Sequence, residues 1–337
     1  MGTKSDKSDA SPAQAASPQS GAAKINGAGS TFVYPCMTKW ASEYNKKTGL
    51  QVNYQSIGSS GGINQVRQNT TDFGATDTPM NAEQMKETNN EILHIPVVMG
   101  AVAVTYNVAG VDKPLKLSGQ TIADIYLGKI KKWNDAAIAK TNDGVKLPET
   151  DIVTVQRADG SGTTGVFSDF LSKVSPEWKE KVGTGLSLKW PTQGVASKGN
   201  EGVAGSVQRT ANSIGYVEVV YAQQNKMAVA EIQNAAGEFV TPSVDSVSKA
   251  AADLKEIPDD LRLSITNAAA PGAYPIAGIT WALARRKIAN PESAKAVKDF
   301  LAFALGDEAQ GMVATLNYSK LGGDLLKKAR DKAALIE

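Results

Sequence analysis

The feature of this sequence that most constrains its fold is a junction that occurs three times. In each case a strand-like run passes through a turn rich in Gly, Ser or Thr and continues as a helix-like run, near residues 25–44, 51–66 and 151–174. Alternation of strands and helices is typical of an α/β fold in which helices flank a sheet. We therefore predict an α/β protein whose three Gly/Ser/Thr turns share a role.

The length of the chain favours two lobes over one. The sequence has 337 residues, whereas a single hydrophobic core stops growing near ~250 residues. Its composition, 42% hydrophobic and 21% charged, is that of a soluble globular protein. We expect a folded chain of two lobes, preceded by a flexible tail of residues 1–23 that has too few large apolar residues to bury.

Several classes of function are excluded by composition. The 36 basic and 34 acidic residues nearly cancel and form no basic block, so no nucleic-acid partner is expected. Cys36 is the single cysteine and His94 the single histidine, which rules out an internal disulfide and a Cys- or His-rich metal site. We predict a structural role for His94 in its apolar stretch, and neither a metal nor another cofactor.

Membrane and export signals are also weak in the sequence. The longest apolar runs, residues 95–106 and 276–284, are shorter than the ~20 residues that a membrane helix needs. No basic segment followed by an apolar one stands at the start of the chain. This fits either a cytoplasmic protein or a mature exported protein whose signal peptide has been replaced by an initiator Met.

The three turns have the chemistry of an oxyanion site. The start of a helix leaves backbone N–H groups unpaired and carries about half a positive charge, and small residues there let an anion approach. One such turn is an ordinary connection, but three together favour a shared site. Arg157 adds a planar cation that can hold two oxygens of a tetrahedral anion, and Asp159 can pair with it. Asp77 follows a strand and precedes Pro79.

These segments carry a resemblance to a known family. The sequence closely resembles the periplasmic phosphate-binding proteins of bacterial high-affinity phosphate ABC importers over residues 24–330. The motifs that carry it are at residues 27–32, 58–62, 72–75, 124–130, 157–163 and 214–218.

The resemblance implies a type II periplasmic-binding-protein fold. This is an α/β fold of two lobes with two mixed sheets flanked by helices, and the ligand lies in the cleft between the lobes. We expect lobe I to contain residues 24–104 and 270–337 and lobe II residues 105–269. The chain would cross between the lobes near residues 101–107 and 266–278.

The resemblance also implies a set of phosphate-binding residues. They are Thr31, Phe32 through its backbone N–H, Ser59, Asp77, Arg157, Ser161, Gly162 and Thr163, with Asp159 behind Arg157. The protein is then expected to be exported, in the periplasm or tethered to the outer face of the cytoplasmic membrane. Its expected partners are inorganic phosphate and the membrane permease and ATPase subunits of an ABC phosphate importer, which it would serve as a monomer.

Three alternatives remain. The anion could be another tetrahedral oxyanion such as sulfate, molybdate or arsenate. Gly58, Ser60 and Gly62 formally match the nucleophile elbow of a serine hydrolase, but His94 is the sole candidate base and lies in an apolar stretch. A phosphatase or kinase would need metal ligands or a Gly-x-x-x-x-Gly-Lys loop, which the sequence lacks. We therefore expect a binding protein and not an enzyme.

Overall fold

The computed structural model describes residues 24–89, 91–252 and 254–337. Strands and helices alternate along these ranges, as the three junctions predict. The predicted flexible tail, residues 1–23, lies outside the described residues.

Within the described ranges the strands are short except for β4 and β12. They are β1 (Lys24–Gly29), β2 (Gln51–Ser56), β3 (Phe73–Thr76), β4 (Ile92–Asn107), β5 (Lys116–Leu117), β6 (Val153–Arg157), β7 (Val195–Ser197), β8 (Ser213–Glu218), β9 (Ala228–Val229), β10 (Glu231–Gln233), β11 (Phe239–Val240) and β12 (Ala277–Arg285).

The helices lie between these strands and after β12. They are α1 (Tyr34–Thr48), α2 (Ser59–Arg67), α3 (Ala82–Lys86), α4 (Gly119–Tyr126), α5 (Ala136–Ala139), α6 (Gly162–Val174), α7 (Pro176–Lys181), α8 (Gly199–Arg209), α9 (Val219–Gln224), α10 (Val244–Ala252), α11 (Pro291–Ala304), α12 (Asp307–Met312) and α13 (Gly323–Ala333), with a 3-10 helix at Val313–Leu316.

One mixed sheet runs through the molecule in the order β2-β1-β3-β12-β4-β8-β6-β7, and β9 also pairs with β4. Strand β1 is parallel to β2 and β3, and β6 is parallel to β7 and β8. Strands β12 and β8 are antiparallel to β4. A separate small sheet has the order β11-β10-β5. The predicted two-lobed α/β fold is confirmed, but the two mixed sheets expected from the resemblance are joined through β4 into one continuous sheet.

Strand β4 belongs to both halves of the sheet. Residues 92–101 pair with β12, and residues 102–107 pair with β8. The predicted return path includes Tyr274, whose hydroxyl donates to the carbonyl of Val102 in β4 at 2.9 Å. We retain as a proposal the division into lobe I, residues 24–104 and 270–337, and lobe II, residues 105–269.

The core has the side chains that helical and strand periodicity predict. Met37, Trp40 and Tyr44, whose spacing puts them on one face of α1, are buried, and the Trp40 indole N–H donates to the carbonyl of Ala309 at 3.0 Å. Strand β4 is buried along nearly its whole length, which is usual for a central strand covered on both faces. Helices and sheet therefore share one continuous apolar interior.

The two longest apolar runs of the sequence lie in strands β4 and β12. Among residues 24–89, 91–252 and 254–337, no helix is both long enough and apolar enough to cross a membrane.

His94 has the structural role that its apolar neighbours predict. It lies in β4 with 2% of its surface exposed, and its Nε2 accepts a hydrogen bond from the backbone N–H of Met80 at 3.0 Å. Burial, assisted by the positive charge of Arg262, lowers the pKa of His94 to about 3. The imidazole is therefore neutral in the folded protein at any moderate pH.

We expect His94 to make the fold sensitive to acid. Between its ordinary pKa of 6.5 and the folded value of about 3, the unfolded chain binds a proton here that the folded chain does not. Its contribution to stability is therefore present above pH 6.5 and is lost as the pH falls toward 3. His94→Gln keeps an acceptor for the Met80 N–H but does not titrate. In urea unfolding across this pH range, the free energy of unfolding should fall less steeply with decreasing pH in the variant. The difference in slope should be up to about 1.4 kcal/mol per pH unit. The same dependence of the free energy of unfolding on pH in both proteins would contradict a lowered pKa for His94.

Candidate functional site

The first half of the site is formed by the carboxyl ends of three parallel strands. Because β1 is parallel to β2 and β3, the turns that follow these strands lie at the same edge of the sheet. These turns carry Ser30 and Thr31 after β1, Ser59 after β2 and Asp77 after β3. Sheet topology thus brings together residues that are up to 47 positions apart in the sequence.

The second half of the site is formed in the same way. Strand β6 is parallel to β7 and β8, so their carboxyl ends also share an edge. Arg157 is the last residue of β6, and Glu218 is the last residue of β8. Asn200 is the second residue of α8, the helix that follows Ser197 at the end of β7. The two edges face each other, and the predicted anion-binding residues lie between them.

Asp77 is a buried carboxylate surrounded by hydroxyl donors. The hydroxyl of Ser30 lies 2.7 and 2.6 Å from its two oxygens, and that of Thr280 lies 2.6 Å from Oδ1. The hydroxyl of Ser59 is 3.5 Å from Oδ2. Burial raises the pKa of Asp77 to about 6, although the hydroxyls and the positive charge of Arg157 oppose that rise. The carboxyl group is therefore mostly ionised at neutral pH.

Arg157 and Asp159 form the ion pair that the sequence predicts. The Nε and Nη2 atoms of Arg157 donate to the two carboxylate oxygens of Asp159 at 2.8 and 2.7 Å. Burial opposes ionisation of Asp159, but the hydrogen bonds and charge of Arg157 outweigh it and lower the pKa of that carboxyl. The pair fixes the plane of the guanidinium and leaves Nη1 directed at Thr163, 3.4 Å from its Oγ1.

Two glycines allow the facing edges to approach closely. A Cβ atom at Gly162 would lie 2.4 Å from both Asp77 Oδ2 and Ser59 Oγ. Gly58 has a φ of 86°, and a Cβ atom there would lie 2.8 Å from the carbonyl oxygen of Gly160. Neither contact is possible with a side chain, so the short distance across the site depends on glycine at both positions.

Hydrogen bonds across the cleft hold the two edges in a closed arrangement. The backbone N–H of Ser60 donates to the carbonyl of Gly160 at 3.0 Å, and the Tyr221 hydroxyl donates to the carbonyl of Thr31 at 2.6 Å. The eight predicted ligand residues are all buried. The site is thus shielded from solvent by the contact between the two halves.

The structure brings the predicted residues together, but several of their polar groups already have protein partners. The Phe32 N–H donates to Ser30 Oγ at 3.0 Å. Ser161 is the N-cap of α6, and its hydroxyl accepts from the N–H of Thr164 at 3.1 Å. Ser59 Oγ accepts from the N–H of Asp77 at 3.3 Å. The roles of these residues as anion ligands stay predictions.

Sequence reasoning missed three residues that contact the predicted set. Ser30 and Thr280 donate to Asp77, and Asn200 contacts both Thr31 and Thr163. Asn200 had a usable signal, because β7 leads through a short turn into α8 as another strand, turn and helix. Thr280 lies inside β12 and had no local signal.

The geometry does not support a serine hydrolase. Nε2 of His94 is occupied by the Met80 N–H, and the ring also contacts the backbone of Ile92. A base for Ser60 would need a free ring nitrogen within hydrogen-bond reach of its hydroxyl. In the described part of the chain, no group of three or more His, Cys, Asp or Glu residues is arranged to hold a metal ion.

Comparison with known proteins agrees with this architecture. A family model described as a PBP superfamily domain matches residues 14–308. The phosphate-binding protein PstS of Pasteurella multocida is 47% identical over 308 residues, which cover 90% of this chain and 88% of that protein. The PstS of Methanocaldococcus jannaschii is 39% identical over 304 residues, covering 83% and 78%. The chain belongs to the PBP superfamily and, within it, to the family of PstS phosphate-binding proteins.

Solved structures share the fold at low sequence identity. A phosphate-binding protein from Stenotrophomonas maltophilia has a TM-score of 0.69 and 18% identity, covering 92% of this chain and 94% of that one. A putative phosphate ABC transporter substrate-binding protein from Clostridium perfringens, with bound phosphate, has a TM-score of 0.65 and 20% identity, covering 89% and 100%. These similarities support the two-lobed fold.

Proposed function

We propose that this protein captures inorganic phosphate between its two lobes and delivers it to an ABC-type phosphate importer. It acts as a binding protein without catalytic residues. Family membership and the closed, buried site support this proposal. The ligand residues are those predicted above, from Thr31 and Phe32 in lobe I to Arg157 and Thr163 in lobe II.

The ionised carboxylate of Asp77 is the observation that supports phosphate as the bound anion. Because its pKa is about 6, Asp77 can accept but not donate a hydrogen bond near neutral pH. Phosphate still carries a proton there and can donate it to Asp77, whereas sulfate carries none. Sulfate would place its lone pairs against a carboxylate in a desolvated site, so the arrangement favours a protonated oxyanion.

Family membership supports the proposed partners and location. The closed form would be recognised by the permease, and the ATPase subunits would drive transport. We propose that the protein is a monomer, exported to the periplasm or tethered at the outer face of the cytoplasmic membrane.

The first test is phosphate binding by isothermal titration calorimetry on anion-stripped protein. We expect one phosphate per chain. Arg157→Ala should weaken binding at least about tenfold, because a charge-assisted hydrogen bond contributes ~1.5–3 kcal/mol. Arg330→Ala is the control, since Arg330 pairs with Asp307 within the proposed lobe I and outside the predicted ligand set. Unchanged affinity in Arg157→Ala would remove Arg157 from the site.

Selectivity tests the role of Asp77. Displacement of bound phosphate should require more sulfate at neutral pH than at about pH 6, and the required excess should grow by up to about tenfold per pH unit, because sulfate can bind only after Asp77 has been protonated. Arsenate is protonated like phosphate and should compete far better. As the pH falls below about 6, Asp77 gains a proton and can donate, so discrimination against sulfate should weaken. A sulfate requirement that is the same at about pH 6 and at about pH 8 would refute this role.

Closure can be tested with a glycine variant. Gly162→Ala should hinder closure, because the added Cβ would lie 2.4 Å from Asp77 Oδ2 and Ser59 Oγ. In small-angle scattering, phosphate should reduce the radius of gyration of the unsubstituted protein more than that of the variant. Gly311→Ala is the control, since a Cβ there meets nothing within 4 Å. An equal response in Gly162→Ala would contradict closure through this contact.

A further inference from the structure

Asn200 links the two threonines of the predicted ligand set across the cleft. Its side chain is fully buried, and its Nδ2 lies 2.7 Å from Oγ1 of Thr31 and 3.1 Å from Oγ1 of Thr163. Thr31 follows β1, and Thr163 lies in the first turn of α6. One amide group therefore contacts a hydroxyl on each side of the site.

The orientation of this amide is set by a backbone group. Oδ1 of Asn200 accepts a hydrogen bond from the N–H of Glu218 at 2.8 Å. If the amide were turned over, two N–H donors would face each other at that contact. Nδ2 must therefore face the threonines, and its two protons are directed at the two hydroxyl oxygens.

These contacts leave each threonine hydroxyl with a proton to donate. Oγ1 of Thr31 accepts from Nδ2 and, at 3.3 Å, from the backbone N–H of Asn200. Oγ1 of Thr163 accepts from Nδ2 and, at 3.4 Å, from Nη1 of Arg157. A hydroxyl has two acceptor positions and one proton. Among the hydrogen bonds of residues 24–89, 91–252 and 254–337, neither hydroxyl acts as a donor.

We propose that Asn200 is a positioning residue that reserves the hydroxyl protons of Thr31 and Thr163 for unprotonated oxygens of the bound anion. This inference rests on the proposed function. Asn200 and Asp77 then act on different oxygens of the anion. The two threonine hydroxyls, oriented by Asn200, donate to oxygens without a proton, whereas Asp77 accepts from the oxygen that carries the proton. Together they set the orientation of a singly protonated phosphate.

The test reverses the polarity of this amide with little change of shape. In Asn200→Asp an oxygen replaces Nδ2, so the threonine hydroxyls donate to it and are withdrawn from phosphate. The new carboxyl also repels the anion. We expect calorimetry to show a loss of phosphate affinity of at least about 100-fold at about pH 8, and about tenfold in Asn200→Ala, where the hydroxyls remain free to donate.

Asn142→Asp is the matched control. Asn142 is also buried, its Oδ1 accepts from the N–H of Lys116 at 2.8 Å, and its Nδ2 donates to the carbonyl of Ile138 at 2.8 Å. The substitution makes the same change of polarity away from the predicted ligands. It should lower thermal stability while leaving phosphate affinity within about twofold.

The pH profile separates positioning from a structural role. As the pH falls from about 8 to about 5.5, the carboxyl introduced at position 200 gains a proton and can again donate one hydrogen bond. The affinity ratio between the unsubstituted protein and Asn200→Asp should therefore shrink. A ratio that is constant with pH, or a larger loss in Asn200→Ala than in Asn200→Asp, would overturn the inference.

If Asn200→Asp does not fold, a double-mutant cycle tests the positioning role of Asn200 instead. Asn200→Ala and Thr163→Val should have non-additive effects on phosphate affinity, because Asn200→Ala leaves the Thr163 hydroxyl without its orienting partner and Thr163→Val removes that hydroxyl altogether. Additive effects would overturn the inference. Failure of the unsubstituted protein to bind phosphate would instead overturn the proposed function.

Discussion

The buried carboxylate of Asp77 is the interaction on which the site depends. An ionised group withdrawn from water is costly unless hydrogen bonds replace its hydration. Here the replacements come from Ser30 after β1, Ser59 at the start of α2 and Thr280 within β12. One side chain thus ties three elements of the same edge together. Asp77 is mostly ionised at neutral pH and therefore accepts hydrogen bonds, whereas the other predicted ligands donate them.

The topology of the sheet places that carboxylate opposite a second set of strand ends. Strands β1, β2 and β3 present their carboxyl ends on one side, and β6, β7 and β8 on the other. Strand β4 pairs with both halves, so the two edges belong to one connected sheet. The facing edges then meet through glycine contacts and through the hydrogen bond from Ser60 to Gly160.

The ionised side chains of the site do not sum to a positive charge, although the proposed ligand is an anion. Arg157 is paired with Asp159, and Asp77 is mostly ionised near neutral pH. The three side chains together carry no excess positive charge. Attraction for an anion must therefore come from oriented N–H and O–H donors and from the starts of helices. Such donors are directional, so they favour selectivity for shape and protonation over general affinity for anions.

The sequence by itself determined the local features of this protein. The strand-to-helix junctions, the buried stripe on α1 and the pairing of Arg157 with Asp159 all involve residues close in the chain. The resemblance to a family added the expectation of two lobes and the predicted ligand set. The tertiary structure alone revealed Thr280 beside Asp77, 203 positions away, and Asn200 beside Thr31, 169 positions away. Periodicity reports which face of an element is buried, but it does not report which elements become neighbours. That choice depends on strand order, such as β12 inserting between β3 and β4, and strand order is set by packing of the whole chain.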